Sequence, residues 1–190
     1  MDRVLDARVR DVWSNPMSCT LDPLNLGSNI TLSGGDLTAT HSATAAWNNV
    51  RSTLYKSAGK RYFEVSVTTA GGSNYIMLGI DKNTGSLNTY HGANAGGFGY
   101  QSGATKWAAG SSASYGATYT AGDVIGIAVD FALGTITYYK NNSSQGVAHS
   151  TVSGSYCPTV SLYTNAVVVA RFLRSSFSYA PPTGFSAWTE

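Results

Sequence analysis

Charge is scarce in this sequence. Asp, Glu, Lys and Arg together make up 12% of the residues, about half the usual share, and they balance to a formal net charge of +2. No stripe of Lys and Arg interleaves with aromatic residues, so the chain lacks the electrostatic footprint on which nucleic-acid binding depends. No apolar run approaches the ~20 residues of a membrane-spanning helix. The opening Met1–Arg8 mixes both charge signs and has no apolar centre, so it does not read as a secretory leader. That reading places the chain in the cytosol when made, or outside by lysis or another route that needs no signal. Cysteine is scarce too. Cys19 and Cys157 lie far apart, a spacing that excludes a structural zinc knot. A sandwich-sized core needs no covalent staple, so two inert, partly buried thiols are expected, with a disulfide between them as the alternative.

The residues of catalysis are thin as well. There is no G-x-S-x-G nucleophile elbow. The glycine-rich Ala93–Gly97 lacks the Lys-Ser/Thr and the following helix of a phosphate loop. His41, His91 and His149 fall in predicted loops, far apart and without Cys or paired Asp at ligand spacing, so no metal site is expected. Glycoside hydrolysis needs two carboxylates opposed across a cleft. The candidates Glu64, Asp81, Asp123 and Asp130 each have an ordinary place on a strand or in a turn. No catalytic residue, metal or cofactor is assigned.

What the chain does have is a succession of short strand patterns. Gly122–Asn141 opens on a turn, runs through Ile125, Ile127 and Val129 at period two, turns at Gly134 and returns through Ile136 and Tyr138. That spacing predicts a β-hairpin with one buried face. Ile30 to Thr40 reads as a second hairpin around Ser33–Asp36. Val50–Lys56, Arg61–Val67 (with Phe63, Val65 and Val67 inward), Tyr75–Ile80, Thr159–Tyr163 and Val167–Phe172 follow as single strands, and residues 97–119 should hold two more. Regular turns with almost no helical period predict an all-β fold, a bent antiparallel β-sandwich of two sheets. The exception is residues 1–18, read as an arm or anchor ahead of a domain over 19–190. There Leu5, Val9, Val12 and Trp13 recur at helical spacing among charged residues, before Ser14-Asn15-Pro16 breaks any helix.

The hairpin wording G-D-V-I-G-I-A-V-D followed by G-T-I-T-Y-Y-K-N-N resembles the central hairpin of SPRY domains. Other blocks are similar in the same order: Gly59–Val65, Met77–Ile80, Gly97–Tyr100 with Lys106-Trp107, Cys157–Leu162, and Phe172–Phe177 followed by Pro181–Phe185. Arg171 and Leu173 depart from the Asn and Gly that the family carries there. The segment Asn29–Thr40 resembles the lead-in of phage and bacterial relatives. The resemblance implies a β-sandwich recognition module rather than an enzyme, binding through loops at one end. Joined to the missing leader and the low charge, it gives the expected function: a phage virion component, as a tail-fibre, head-fibre or capsid-decorating module that binds protein or a host-surface glycan. An intracellular, cytoplasmic protein-binding adaptor is the alternative, and a glycan hydrolase a distant third.

Contact residues are expected among the rings of the loops Asn74–Tyr75, Asn88–Asn94 and Ser111–Tyr119, with Tyr90, His91, Asn94, Tyr115 and Tyr119 as binding residues. Aromatic rings beside small polar residues give rigid contact area at low entropic cost. Trp107, within a predicted strand, is expected in the core. The arm is expected either to pack as a strap on the chain's own sandwich or to join virion proteins or sister subunits, including in a homo-oligomer, through Leu5, Val9, Val12 and Trp13.

Overall fold

A computed structural model describes residues 18–93 and 95–190. Residues 1–17 of the expected arm, with Leu5, Val9, Val12 and Trp13, and Asn94 lie outside the described residues. The strands are β1 (Leu21–Leu26), β2 (Ile30–Ser33), β3 (Thr38–His41), β4 (Asn48–Ser52), β5 (Lys60–Ala70), β6 (Ile76–Asp81), β7 (Gly97–Gln101), β8 (Thr105–Ala108), β9 (Ser111–Ser114), β10 (Val124–Asp130), β11 (Thr135–Lys140), β12 (Ser143–His149), β13 (Cys157–Leu162), β14 (Ala166–Arg171) and β15 (Ser186–Ala187). They form two sheets. The first runs β1-β4-β13-β6-β7-β8-β9, and the second β12-β11-β10-β5-β14-β3-β2. Every pairing along these two paths is antiparallel, and β15 adds to β5 in parallel. The architecture is the expected all-β antiparallel sandwich.

Alternation fills the space between the sheets. From the second sheet, Phe63, Val65, Ile125, Ile127, Val129, Ile136 and Tyr138 point inward, and from the first Ile76, Leu78, Ile80, Phe98 and Tyr100; all are buried. The β10–β11 hairpin has the register its pattern predicts, with Ile127 opposite Tyr138 and Val129 opposite Ile136. Trp188, near the end of the chain, is fully buried. Its indole N–H donates to the Leu54 carbonyl at 2.9 Å and its ring meets Phe63 edge-on, centroids 5.4 Å apart.

Several details differ from the sequence expectation. Residues 97–119 hold three strands, because Ala109-Gly110 makes a tight turn at positive φ that returns Ser111–Ser114 onto β8. β1 and β12 were not predicted. β1 contains Pro23, β12 is mostly polar, and both are register-shifted edge strands with no clean alternation to read. His41 and His149 end strands β3 and β12 rather than lying in loops.

The outer face of the first sheet decides where a site can form. Arg51, Met77, Asp81, Thr159 and Ser161 are buried there, because the segment joining β6 to β7 folds over them. β4 supplies its anchors. The Asn49 side-chain amide donates to the carbonyls of Ser86 and Thr89 (both 3.0 Å), and Arg51 donates to the Gly85 carbonyl (2.8 Å). β13 supplies another through Ser161, whose hydroxyl lies 2.9 Å from the His91 backbone nitrogen and 2.6 Å from its Nδ1. The His91 ring needs glycine beneath it. A Cβ at Gly79 or Gly99 would sit 3.0 or 3.1 Å from Nε2.

Candidate functional site

β4, β13 and β6 are neighbours in the first sheet, so the start of β4, the end of β13 and the start of β6 lie side by side. Each carries an aromatic residue just beyond its last paired position: Trp47, Tyr163 and Tyr75. The covering segment adds Tyr90, and β8 adds Trp107 from the outer face, opposite Gly99. The five rings touch. Trp47 is the hub, with centroids 6.0 Å from Tyr75 (nearly parallel, 15°), 5.6 Å from Tyr90 and 5.6 Å from Tyr163. Tyr75 meets Tyr163 at 5.6 Å, and Tyr90 meets Trp107 edge-on at 5.1 Å. Tyr75 is 46% exposed, and the other four are half-buried.

Clustered rings at a surface are costly to leave in water, and the largest apolar patches on soluble proteins are commonly contact sites. The surroundings are neutral. The flanking segments 42–47, 71–75, 86–93 and 163–165 contain no Asp, Glu, Lys or Arg, and Lys106, beside Trp107, is engaged by the Ala148 carbonyl at 2.6 Å. Among the described residues, the hydroxyls of Tyr75, Tyr90 and Tyr163 and the Trp47 indole N–H have no hydrogen-bond partner, whereas the Trp107 indole N–H is held by Gln101 at 2.9 Å. The surface therefore offers flat apolar area with unengaged donors at its edges.

Of the five binding residues named from sequence, only Tyr90 belongs to this cluster; Tyr75 joins it from one of the expected loops. His91 is buried under the covering segment, 3% exposed, and works as a clamp rather than a contact; burial pulls its pKa down to about 4. Tyr119 is 1% exposed, with its hydroxyl within hydrogen-bond distance of the Tyr100 and Ile76 carbonyls (2.8 and 3.0 Å). It is a core ring, because Tyr119 N–H binds the Ser102 carbonyl and draws the segment inward. Tyr115 is half-buried against Tyr100 and Tyr138 and donates to the Gly146 carbonyl at 2.6 Å, joining the margins of the two sheets. Trp107, expected in the core, lies on the outer face instead. Trp47 and Tyr163 were missed. The available signal was a lone Trp within a run of Ser, Ala and Thr immediately before a strand.

The acidic residues weighed for hydrolysis are engaged elsewhere. Glu64 is fully buried and accepts from the backbone nitrogens of Ser178 and Tyr179 and from the Tyr62 hydroxyl. Asp81 pairs with Arg51 at 2.6 Å, Asp130 with Lys60 and Asp123 with Lys140, each at 3.3 Å. Among the described residues, no group of three or more His, Cys, Asp or Glu is placed to hold a metal ion. Both cysteines are buried and free, and burial pushes Cys19 up to about 12 and Cys157 up to about 11.

Two packed antiparallel sheets, with loops and strand ends gathered into a ring-lined margin, place the molecule among the β-sandwich domains. Within that class, the chain belongs to the SPRY domain family, whose model matches residues 60–174. SPRY domains are typically protein-interaction modules. The chain is 35% identical over 136 residues to Ran-binding protein 9 of Xenopus laevis, a match covering 69% of this chain and 25% of that protein. It is 32% identical over 126 residues to the Ran-binding proteins 9/10 homolog of Drosophila melanogaster, covering 65% and 13%. It thus spans a quarter or less of the length of these relatives. The SPRY domain of human HERC1 has a similar fold, with a TM-score of 0.70 at 16% identity over 80% of this chain and 96% of that one. So does the PSpry domain of TRIM65, at 0.64 and 18%, covering 80% and 90%.

These relatives overturn the virion reading. They are eukaryotic Ran-binding proteins, so a tail-fibre, head-fibre or capsid-decorating role, a virion location and virion partners for the arm are withdrawn. Low charge constrains surface chemistry, but it says nothing about the source of a chain.

Proposed function

We propose that this chain is a non-enzymatic, intracellular protein-binding module that meets its partner through Trp47, Tyr75, Tyr90, Tyr163 and Trp107. The carrying observation is a connected cluster of five rings, one of them 46% exposed, built on Trp47, Tyr75 and Tyr163 at the ends of adjacent strands and extended by Tyr90 and Trp107. Buried aromatic anchors dominate protein interfaces, and here they are already packed against one another before a partner arrives. Membership in the SPRY family and the eukaryotic relatives support a protein as the ligand. Tyr115 is a weaker contact on this reading, since its hydroxyl is engaged.

The test is selection of peptides from a random display library on the immobilised chain, followed by calorimetry. Trp47→Ala should weaken the selected peptides at least tenfold, as expected for an anchor worth about 2 kcal/mol. Leu133→Ala, at an exposed position in the β10–β11 turn, should leave binding unchanged. Selected peptides that bind the Trp47 variant as tightly as the parent would refute this surface.

A further inference from the structure

We infer that the ligand of this surface is an uncharged, proline-rich segment bound as a polyproline II helix; this deepens the protein-binding reading and rests on it. Four observations converge. The first is position. The rings cap strands β4, β13 and β6, each of which is paired on both sides, so no free sheet edge is available there for a partner to join as an extra strand. Recognition has to run through side chains on a self-standing backbone.

The second is the donor inventory. Trp47, Tyr75, Tyr90 and Tyr163 present one indole N–H and three hydroxyls with no acceptor among the described residues. A polyproline II chain has no internal hydrogen bonds and exposes its carbonyls, while its prolines have no N–H of their own. Donors on the protein and acceptors on the ligand are complementary. The third is spacing. Tyr75, Trp47, Tyr90 and Trp107 make a succession of rings 6.0, 5.6 and 5.1 Å apart. Prolines on one side of the helix recur every three residues, about 9 Å at a rise of ~3.1 Å per residue, which lies within the largest span two such steps can reach. Aromatic-lined grooves are the common readers of this conformation, because its order is set before binding.

The fourth is charge. The segments flanking Trp47, Tyr75, Tyr90 and Tyr163 carry no Asp, Glu, Lys or Arg, and Lys106 beside Trp107 is held by the Ala148 carbonyl. A charged peptide would find no counter-charge here. A glycan would find no carboxylate to accept from its hydroxyl groups.

The experiment titrates the full chain with a ten-residue proline peptide, a ten-residue Gly-Ser peptide and maltohexaose, by calorimetry and tryptophan fluorescence. The proline peptide should bind at least tenfold more tightly than the Gly-Ser peptide, and by less than a twofold difference between 50 and 500 mM salt. Trp47→Ala and Tyr75→Ala should each weaken it at least tenfold, with circular dichroism showing that both variants fold; Tyr75, the more exposed, stands if Trp47→Ala does not. Equal binding of the two peptides, or Trp47-dependent binding of maltohexaose instead, would overturn the inference. Library-selected peptides that depend on Trp47 yet contain no proline run would also overturn it, while leaving the protein-binding reading intact.

Discussion

Arg51 and Asp81 form the ion pair on which the outer face of the first sheet is built. Both are nearly inaccessible, and both the Nε and an Nη of Arg51 contact one carboxylate oxygen, at 2.9 and 2.6 Å. The other Nη reaches the side-chain oxygens of Asn25 and Asn83. A buried pair contributes little net stability over an apolar replacement, but removing one partner leaves a desolvated charge uncompensated. Asp81→Asn keeps the shape and removes the charge, so it should cost about 3–5 kcal/mol, read as a lower urea midpoint. An unchanged midpoint would show that water reaches Arg51.

At the scale of elements, the covering segment after β6 is held by polar contacts, and stability should depend on pH through His91 within it and His149 at the end of β12. Burial holds the pKa of both His91 and His149 down to about 4, against 6.5 when free. The unfolded chain therefore binds more protons than the folded one between those values. The stability linked to these rings is complete above pH ~6.5 and is lost as pH falls towards 4, by roughly 1 kcal/mol per pH unit for each ring. Urea midpoints at pH 7 and pH 5 should differ accordingly, and a flat profile would mean that His91 is already solvated. The interior strands of both sheets were largely legible. Ile125, Ile127 and Val129 alternate so cleanly that face and register followed from spacing, and the all-apolar wording of Ile76–Ile80 marked an interior strand. β1 and β12 were not, because an edge strand with a proline or a register shift has no periodic pattern to detect. The contact surface was only partly legible for a different reason. Tyr75 and Tyr90 fell in the expected loops, but Trp47 and Tyr163 join them only through the strand order β4-β13-β6. Tyr119 looks as exposed as Tyr90 in sequence until its long-range backbone bond to Ser102 draws it inward.

For the whole molecule, closure of the sandwich depends on Trp188. Its ring contacts Phe63 and Phe131, and its N–H meets Leu54 from more than a hundred positions away in sequence. Trp188→Ala should cost about 3–5 kcal/mol through lost burial and the cavity left behind. Denaturation followed by circular dichroism measures that loss, and a change below 1 kcal/mol would assign closure to other contacts. Such a variant should keep its ligand affinity wherever it is still folded, since Trp188 belongs to the core rather than to the ring cluster.

The segment that covers the outer face of the first sheet also bears on how long a partner would stay on the proposed surface. With that face already occupied by the chain's own backbone, a partner bound there would meet only the margin formed by five rings, four of them half-hidden. The area left to cover is about 400–500 Å² when each ring offers part of its ~150–250 Å², well short of the ~800 Å² per side of a standard stable complex. Small footprints of this kind release quickly, since affinity differences lie mostly in the dissociation rate. A single encounter would therefore be brief, and lasting attachment would come from several such sites along one ligand, or from neighbouring modules engaging it together.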